Sequence, residues 1–346
     1  MKKKIISNLE KCYSIAPLTY NGKKHILVAA EKHDRCILFD LDGNEVDTIW
    51  DEPGGVMTML QIPGSNGQFL ATHQFYSPND SKNAKIVLVT PEKEGQWNIK
   101  TLVELPFVHR FDILESDGVR YLIACTIKSG HNYKDDWSMP GKVYGVRLPD
   151  DINRFAKDQQ LKLSVIKDDM LKNHGYYKVN TEKGIASLIS SEQGVFLFYP
   201  PNKERTDWKI EQILTMPTSD ATMIDLDGDG EMELITLSPF HGPDIRIFKK
   251  QNGTFKEFYK YPGSAEFTHA IWSGDLCGRP TVILGHRQGE KKLLAFTYNK
   301  EMGNYEYQVI DTGCGPANVL KYEKDDQEIV VATNREIDEV ALYYFD

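Results

Sequence analysis

Two sets of residues in this 346-residue chain have the types and spacing to do chemistry. The first is an acidic loop, DLDGDGEME over residues 225–233, in which Asp225, Asp227, Asp229 and Glu233 stand at alternate or near-alternate positions. Carboxylates spaced this way wrap oxygen ligands around a hard cation, and Gly228 and Gly230 permit the tight backbone path. The flanking runs, ATMIDL and MELITL, alternate like strands. An EF-hand needs helices on both sides and a longer loop, so the pattern predicts a strand-to-strand turn that holds a structural calcium ion. Asp-Gly pairs also form ordinary turns without any ion. The second set is the nine histidines, with Arg287 and Arg335 beside them in the C-terminal third. Imidazole serves a borderline metal as ligand and a reaction near neutral pH as proton carrier, and a guanidinium fork holds oxyanions or hydroxyls.

Chemistry from such scattered residues requires elements that bring them together. Apolar runs separated by turn signals recur along the whole chain, and they fall into seven groups with a repeat of about 50 residues, in the propeller range. The clearest group is ATMIDL, MELITL, DIRIF and KEFYKY; the first group is YSIAPLTY, HILVAA, CILFDL and EVDTIW, its last pair joined by Asp42-Gly43. The expected fold is all-β: a seven-bladed β-propeller of four-stranded antiparallel blades, one domain over residues 1–346. The last group supplies only NVLKY, EIVVAT and EVALYYF, so the N-terminal KKIISNL is expected to complete that blade and close the ring. The third group carries one long insertion, SGHNYKDDWSMPG, and only RFAKDQQL and IKDDMLKN, within residues 154–173, have room for a helical turn.

In a propeller blade the innermost strand descends the central channel, so its start shares one face with the loop from the second to the third strand. On the strand assignment above, His109, His174 and His269 start inner strands, and His33, His73, His131, His241 and His286 sit at or just beyond the ends of second strands. Eight of the nine histidines thus collect on one face, leaving His25 elsewhere. His109, His174 and His269 are the expected ligands of a divalent transition metal such as zinc in the channel. His241 and His286 are the expected general acid and base, and Arg287 and Arg335 the expected oxyanion or hydroxyl contacts. Each of these has a plainer alternative: a solvated loop histidine, or an arginine in a blade-to-blade ion pair. Tyr133 and Trp137 of the insertion offer a lid or stacking surface for a sugar ring, or equally a cover for the outer edge of blade 3.

Composition removes several classes. A net charge of -9 with scattered lysines disfavours nucleic acid, and no apolar run is long enough to span a bilayer. The N-terminal lysines are followed by Asn8, Glu10 and Lys11, which interrupt a signal-like segment, so a cytoplasmic protein is expected. Five widely spaced cysteines suit buried thiols better than a disulfide frame. The chain lacks G-x-S-x-G, G-x-x-x-x-G-K-[ST], G-x-G-x-x-G after a strand and H-E-x-x-H, which argues against serine hydrolases, nucleotide enzymes and zincins.

The D-x-D-G-D-G-x-x-E loop between strands resembles the FG-GAP or VCBS type of propeller repeat. SPFHGPDIRIFKK, FTHAIWSGDLCGRPTVILGHR, and GPANV with TNREIDEVALY are similar to segments of bacterial seven-bladed propellers related to the aldos-2-ulose dehydratases. The likeness is strongest from about Ser219 onward. It implies a metal-assisted lyase or isomerase acting on a keto-sugar such as an anhydrofructose, with His241, His269 and His286 carried over from the matching motifs. Two other classes stay open: a non-catalytic propeller that binds a carbohydrate or a protein on the same face, and a polysaccharide lyase with a wider groove, against which the acidic charge counts.

Overall fold

The alternating runs become strands because they are rich in β-branched and aromatic residues and are punctuated by turn formers, with glycines at positive φ such as Gly43 and Gly228. The computed structural model describes every residue except Glu94 and Asp346. The strands form seven four-stranded antiparallel sheets, the blades of a propeller. The inner strands are Cys12–Tyr20, Met59–Gln61, Val108–Ser116, Gly175–Thr181, Asp220–Ile224, Thr268–Leu276 and Asn318–Lys324. In the first six blades the spatial order follows the chain. In the seventh, Asn318–Lys324, Gln327–Asn334 and Glu339–Phe345 are completed by the N-terminal strand Lys2–Ser7, with Lys2 opposite Tyr344 and Ile5 opposite Ala341.

One outer strand differs from expectation. Ser164–Met170 is the fourth strand of blade 3, in the region where a helical turn was allowed. It is mostly exposed and polar, so it carries little alternation, and pairing with Pro140–Arg147 supplies its order instead.

Among the described residues the buried apolar side chains form seven clusters, one between each pair of neighbouring blades, from Leu38 with Phe69 between blades 1 and 2 to Ile37 with Leu342 between blades 7 and 1. The core is thus a ring of interfaces. Each fully buried Leu, Ile, Val or Phe in it contributes about 1.5–3 kcal/mol. Cys12, Cys36, Cys125 and Cys314 are buried thiols in this ring. Among the described residues no helix is long and apolar enough to cross a membrane.

Candidate functional site

Backbone irregularities at the top of the inner strands aim side chains into the channel mouth. In blade 1 the ladder passes from Cys12 opposite Ala30 to Ser14 opposite Ala29, leaving Tyr13 as an extra residue. The same step leaves out His109 between Val108 and Arg110, and His269 between Thr268 and Ala270. Such a bulge breaks the strict alternation of a strand and re-aims one side chain. His174 precedes its strand, its N–H bonded to the Ser190 carbonyl at 3.2 Å. The following Gly175 is required by packing: a Cβ there would lie 2.6 Å from Ser219 O and from Asp220 Cα of the next inner strand.

These residues meet. One ring nitrogen from each of His174, His241 and His269 falls within 4.8 Å of the others, and the Nε2 atoms of His174 and His241 are 3.3 Å apart. The His109 ring packs on His174 with centroids 4.6 Å apart. Three Nδ1 atoms reach a backbone carbonyl of the neighbouring blade: His109 to His174 O at 3.2 Å, His174 to Ser219 O at 3.3 Å, and His269 to Ala317 O at 2.7 Å. A carbonyl only accepts, so each Nδ1 carries the proton and each Nε2 keeps its lone pair. The Tyr13 hydroxyl donates to His269 Nε2 at 2.9 Å. His241 arrives from the loop after the second strand of blade 5, sandwiched between Phe240 at 4.0 Å and Phe267 at 4.1 Å.

Burial sets the charge state of the cluster. It holds His109, His174 and His269 well below the ordinary histidine range, and it takes His241, with Arg287 and Lys172 adding to the effect, down to about 3. Four neutral imidazoles therefore line the mouth at pH 7. Asp220 at the top of the blade 5 inner strand is pushed the other way by burial, to about 7.

The expected ligands His109, His174 and His269 all reach the mouth, but His241, expected as acid or base, takes the third place in the tight trio, and His109 packs beside it. His286 lies outside the cluster with both ring nitrogens committed, Nδ1 at 2.9 Å from Gln288 O and Nε2 accepting from Lys292 N–H at 3.1 Å. Arg287 lies over Phe267, its guanidinium 4.7 Å from the ring centre and bonded to Glu336 at 2.8 Å. Arg335 bonds to Glu31 and Glu336. Both arginines thus sit in blade-to-blade ion pairs. Of the insertion, Trp137 packs on Phe240 at 5.5 Å, whereas Tyr133 is exposed.

Three further mouth residues, Tyr13, Arg110 and Asp220, carry no motif. A signal existed for the first: CYSI, VHRF and THAI are the same bulged strand start in three blades, so Tyr13 takes the place that histidine takes in the other two.

In the acidic loop, Asp225 accepts the N–H groups of Gly228 and Gly230 at 2.8 and 3.0 Å, and Glu233 accepts that of Leu226 at 2.6 Å. The Lys249 ammonium lies among Asp227, Asp229 at 3.0 Å and Glu233 at 3.6 Å. Oxygens of Asp225, Asp227 and Asp229 fall within 4.8 Å of one another. The oxygen set suits a hard cation, and the Lys249 ammonium contacts the same carboxylates.

No family model matches the chain, and no curated protein matches it. Solved structures do. A streptogramin B lyase superimposes with a TM-score of 0.57 at 12% identity, covering 99% of this chain and 98% of the other. The Dos1 propeller gives 0.55 at 8% identity, over 92% and 75%. The β-propeller domain of Myceliophteria thermophila Cps50 (Swd1) gives 0.60 at 10% identity over the full length of both chains. At these identities the likeness establishes the seven-bladed propeller and leaves function to the site itself.

Proposed function

We propose that the channel mouth binds a divalent transition metal such as zinc through His174, His241 and His269, and that a keto-sugar bound there loses water or isomerises. The observation that carries this reading is the convergence of three neutral imidazoles from separate elements, their ligand atoms within 4.8 Å. The backbone carbonyls on Nδ1 of His174 and His269 supply the outer hydrogen bonds that orient metal-binding histidines and leave Nε2 for the ion. The Tyr13 hydroxyl now occupies His269 Nε2, so it would have to turn away for that nitrogen to serve as a ligand. A bound ion would polarise the ketone oxygen.

The chain's own groups cover the proton transfers. His109 is fixed by its Nδ1 bond and forms no hydrogen bond at Nε2 among the described residues, so it takes the proton beside the ketone. The C–H electron pair moves toward the ketone oxygen and returns to expel the β-hydroxyl, which leaves as water with a proton from the Tyr13 hydroxyl. In isomerisation the proton returns to the former carbonyl carbon. Trp137 and Phe240 form an aromatic wall beside His174 for an apolar sugar face. For the acidic loop we propose a structural calcium ion that displaces Lys249.

A second reading is a carbohydrate-binding module without turnover. It is supported by the same aromatic wall and by the hydrogen bonds that already satisfy His269 without an ion. Incubation with 1,5-anhydrofructose and other keto-sugars, followed by ultraviolet absorbance and NMR, separates the two. The lyase reading expects a conjugated enone whose formation is lost in His109→Gln while sugar binding remains. Binding of a sugar with no change in any keto-sugar would replace it with the binding module.

A further inference from the structure

We propose that Arg110 is the receptor for a carboxylate, which makes the natural ligand of the channel mouth a sugar acid rather than a neutral sugar. The proposal rests on the mouth being a sugar site, as read above, but requires neither a metal nor turnover.

Arg110 follows the bulged His109 on the blade 3 inner strand. Its Nη1 donates to Met57 O of blade 2 at 2.6 Å, and its guanidinium lies 5.9 Å from the centre of the Tyr13 ring in blade 1. Tyr13 in turn holds His269 at 2.9 Å, so the guanidinium stands beside the histidine cluster and is itself only partly exposed. Among the described residues that one hydrogen bond is the only one it makes, leaving four of its five N–H groups for a ligand.

The charge around it is what points to an anion. Arg287 and Arg335 each hold Glu336, and Lys172 holds Glu192 at 3.0 Å. Among the described residues no carboxylate lies within salt-bridge distance of Arg110. Asp220 is near enough for the two charges to interact, but it forms no ion pair with Arg110, and burial raises its pKa to about 7, which makes it at most a partial counter-charge at neutral pH. A partly desolvated guanidinium with no carboxylate in ion-pair contact is costly, and a planar carboxylate fits its fork with two parallel hydrogen bonds. Phe240, with Trp137 against it, packs on His174, whose ring adjoins that of His109, the residue before Arg110.

The test is calorimetric titration at constant ionic strength with sodium glucuronate, glucose and sodium sulfate, on the parent, Arg110→Gln and Arg110→Lys. Glucuronate is expected to bind the parent at least about tenfold tighter than glucose does, and Arg110→Gln to remove that margin, as loss of one partner of a desolvated charge pair does. Arg110→Lys, which keeps the charge without the fork, is expected to recover only part of it; this variant also serves if Arg110→Gln fails to fold. Equal binding of glucose and glucuronate, no binding of either, a preference that survives in Arg110→Gln, or sulfate binding as tight as glucuronate would overturn the proposal. Failure of keto-sugar turnover leaves this result untouched, and loss of the acid preference leaves metal binding and turnover to be judged separately.

Discussion

At the residue scale, His241 concentrates the site's unusual features. It and Phe267 both hold positive φ, 51° and 59°, a conformation that costs a non-glycine residue on the order of 1–3 kcal/mol. The return is a stack of Phe240, His241 and Phe267 that directs Nε2 at His174. Burial holds the folded pKa of His241 at about 3, below the ordinary 6.5 it regains on unfolding. The sign follows: its contribution to stability is fully present above 6.5 and is lost as pH falls from there toward 3. In His241→Phe, which keeps the stack without the titrating group, unfolding at pH 5 should take up about one proton fewer than in the parent. Melting temperature against pH measures this, and parallel curves for parent and variant would remove His241 from the account.

At the element scale, the strands were readable because alternation and turn residues mark them, and the blades because the pattern repeats. Closure of blade 7 by KKIISNL followed from counting strands, and Lys2–Ser7 does pair with Glu339–Phe345. The polar outer strand Ser164–Met170 was missed because the apolar pattern reports burial, which it lacks. The site was readable only in part. Histidines stand out by type and inner strands by position, but a bulge leaves no mark in hydropathy, and it is the bulge at His109 that brings Arg110 to the mouth. The geometry of the neighbouring Gly175 is testable: Gly175→Ala forces a Cβ against Ser219 and Asp220 and should cost about 1–3 kcal/mol by denaturant unfolding, whereas an unchanged midpoint would mean that the two strands do not approach so closely. The acidic loop has its own test. Calcium should raise the melting temperature and a chelator reverse it. If neither changes it, Lys249 is the loop's permanent counter-charge, and Lys249→Met should then be destabilising.

At the scale of the whole molecule, polar contacts along the channel join neighbouring blades all round the ring, some at the mouth and some further along the inner strands: Gln61 with Thr19, Arg110 with Met57, His109 with His174, His174 with Ser219, Thr222 with Ser273, His269 with Ala317 and Asn318 with Tyr13. The histidines that form the site therefore also hold the ring together. That closure depends on Lys2–Ser7, whose side chains are mostly exposed and whose contribution is to cover the edge of Glu339–Phe345. Deleting residues 2–7 should lower the melting temperature and promote association through that edge; a monomer of unchanged stability would refute this role. The central claim, a metal centre of His174, His241 and His269, is tested most directly by the metal content of the purified protein and of His241→Phe, each confirmed as folded. About one transition-metal ion per chain is expected in the parent, and loss of most of it in the variant. A parent that retains no transition metal after exposure to zinc, or a variant that retains as much as the parent, would contradict it.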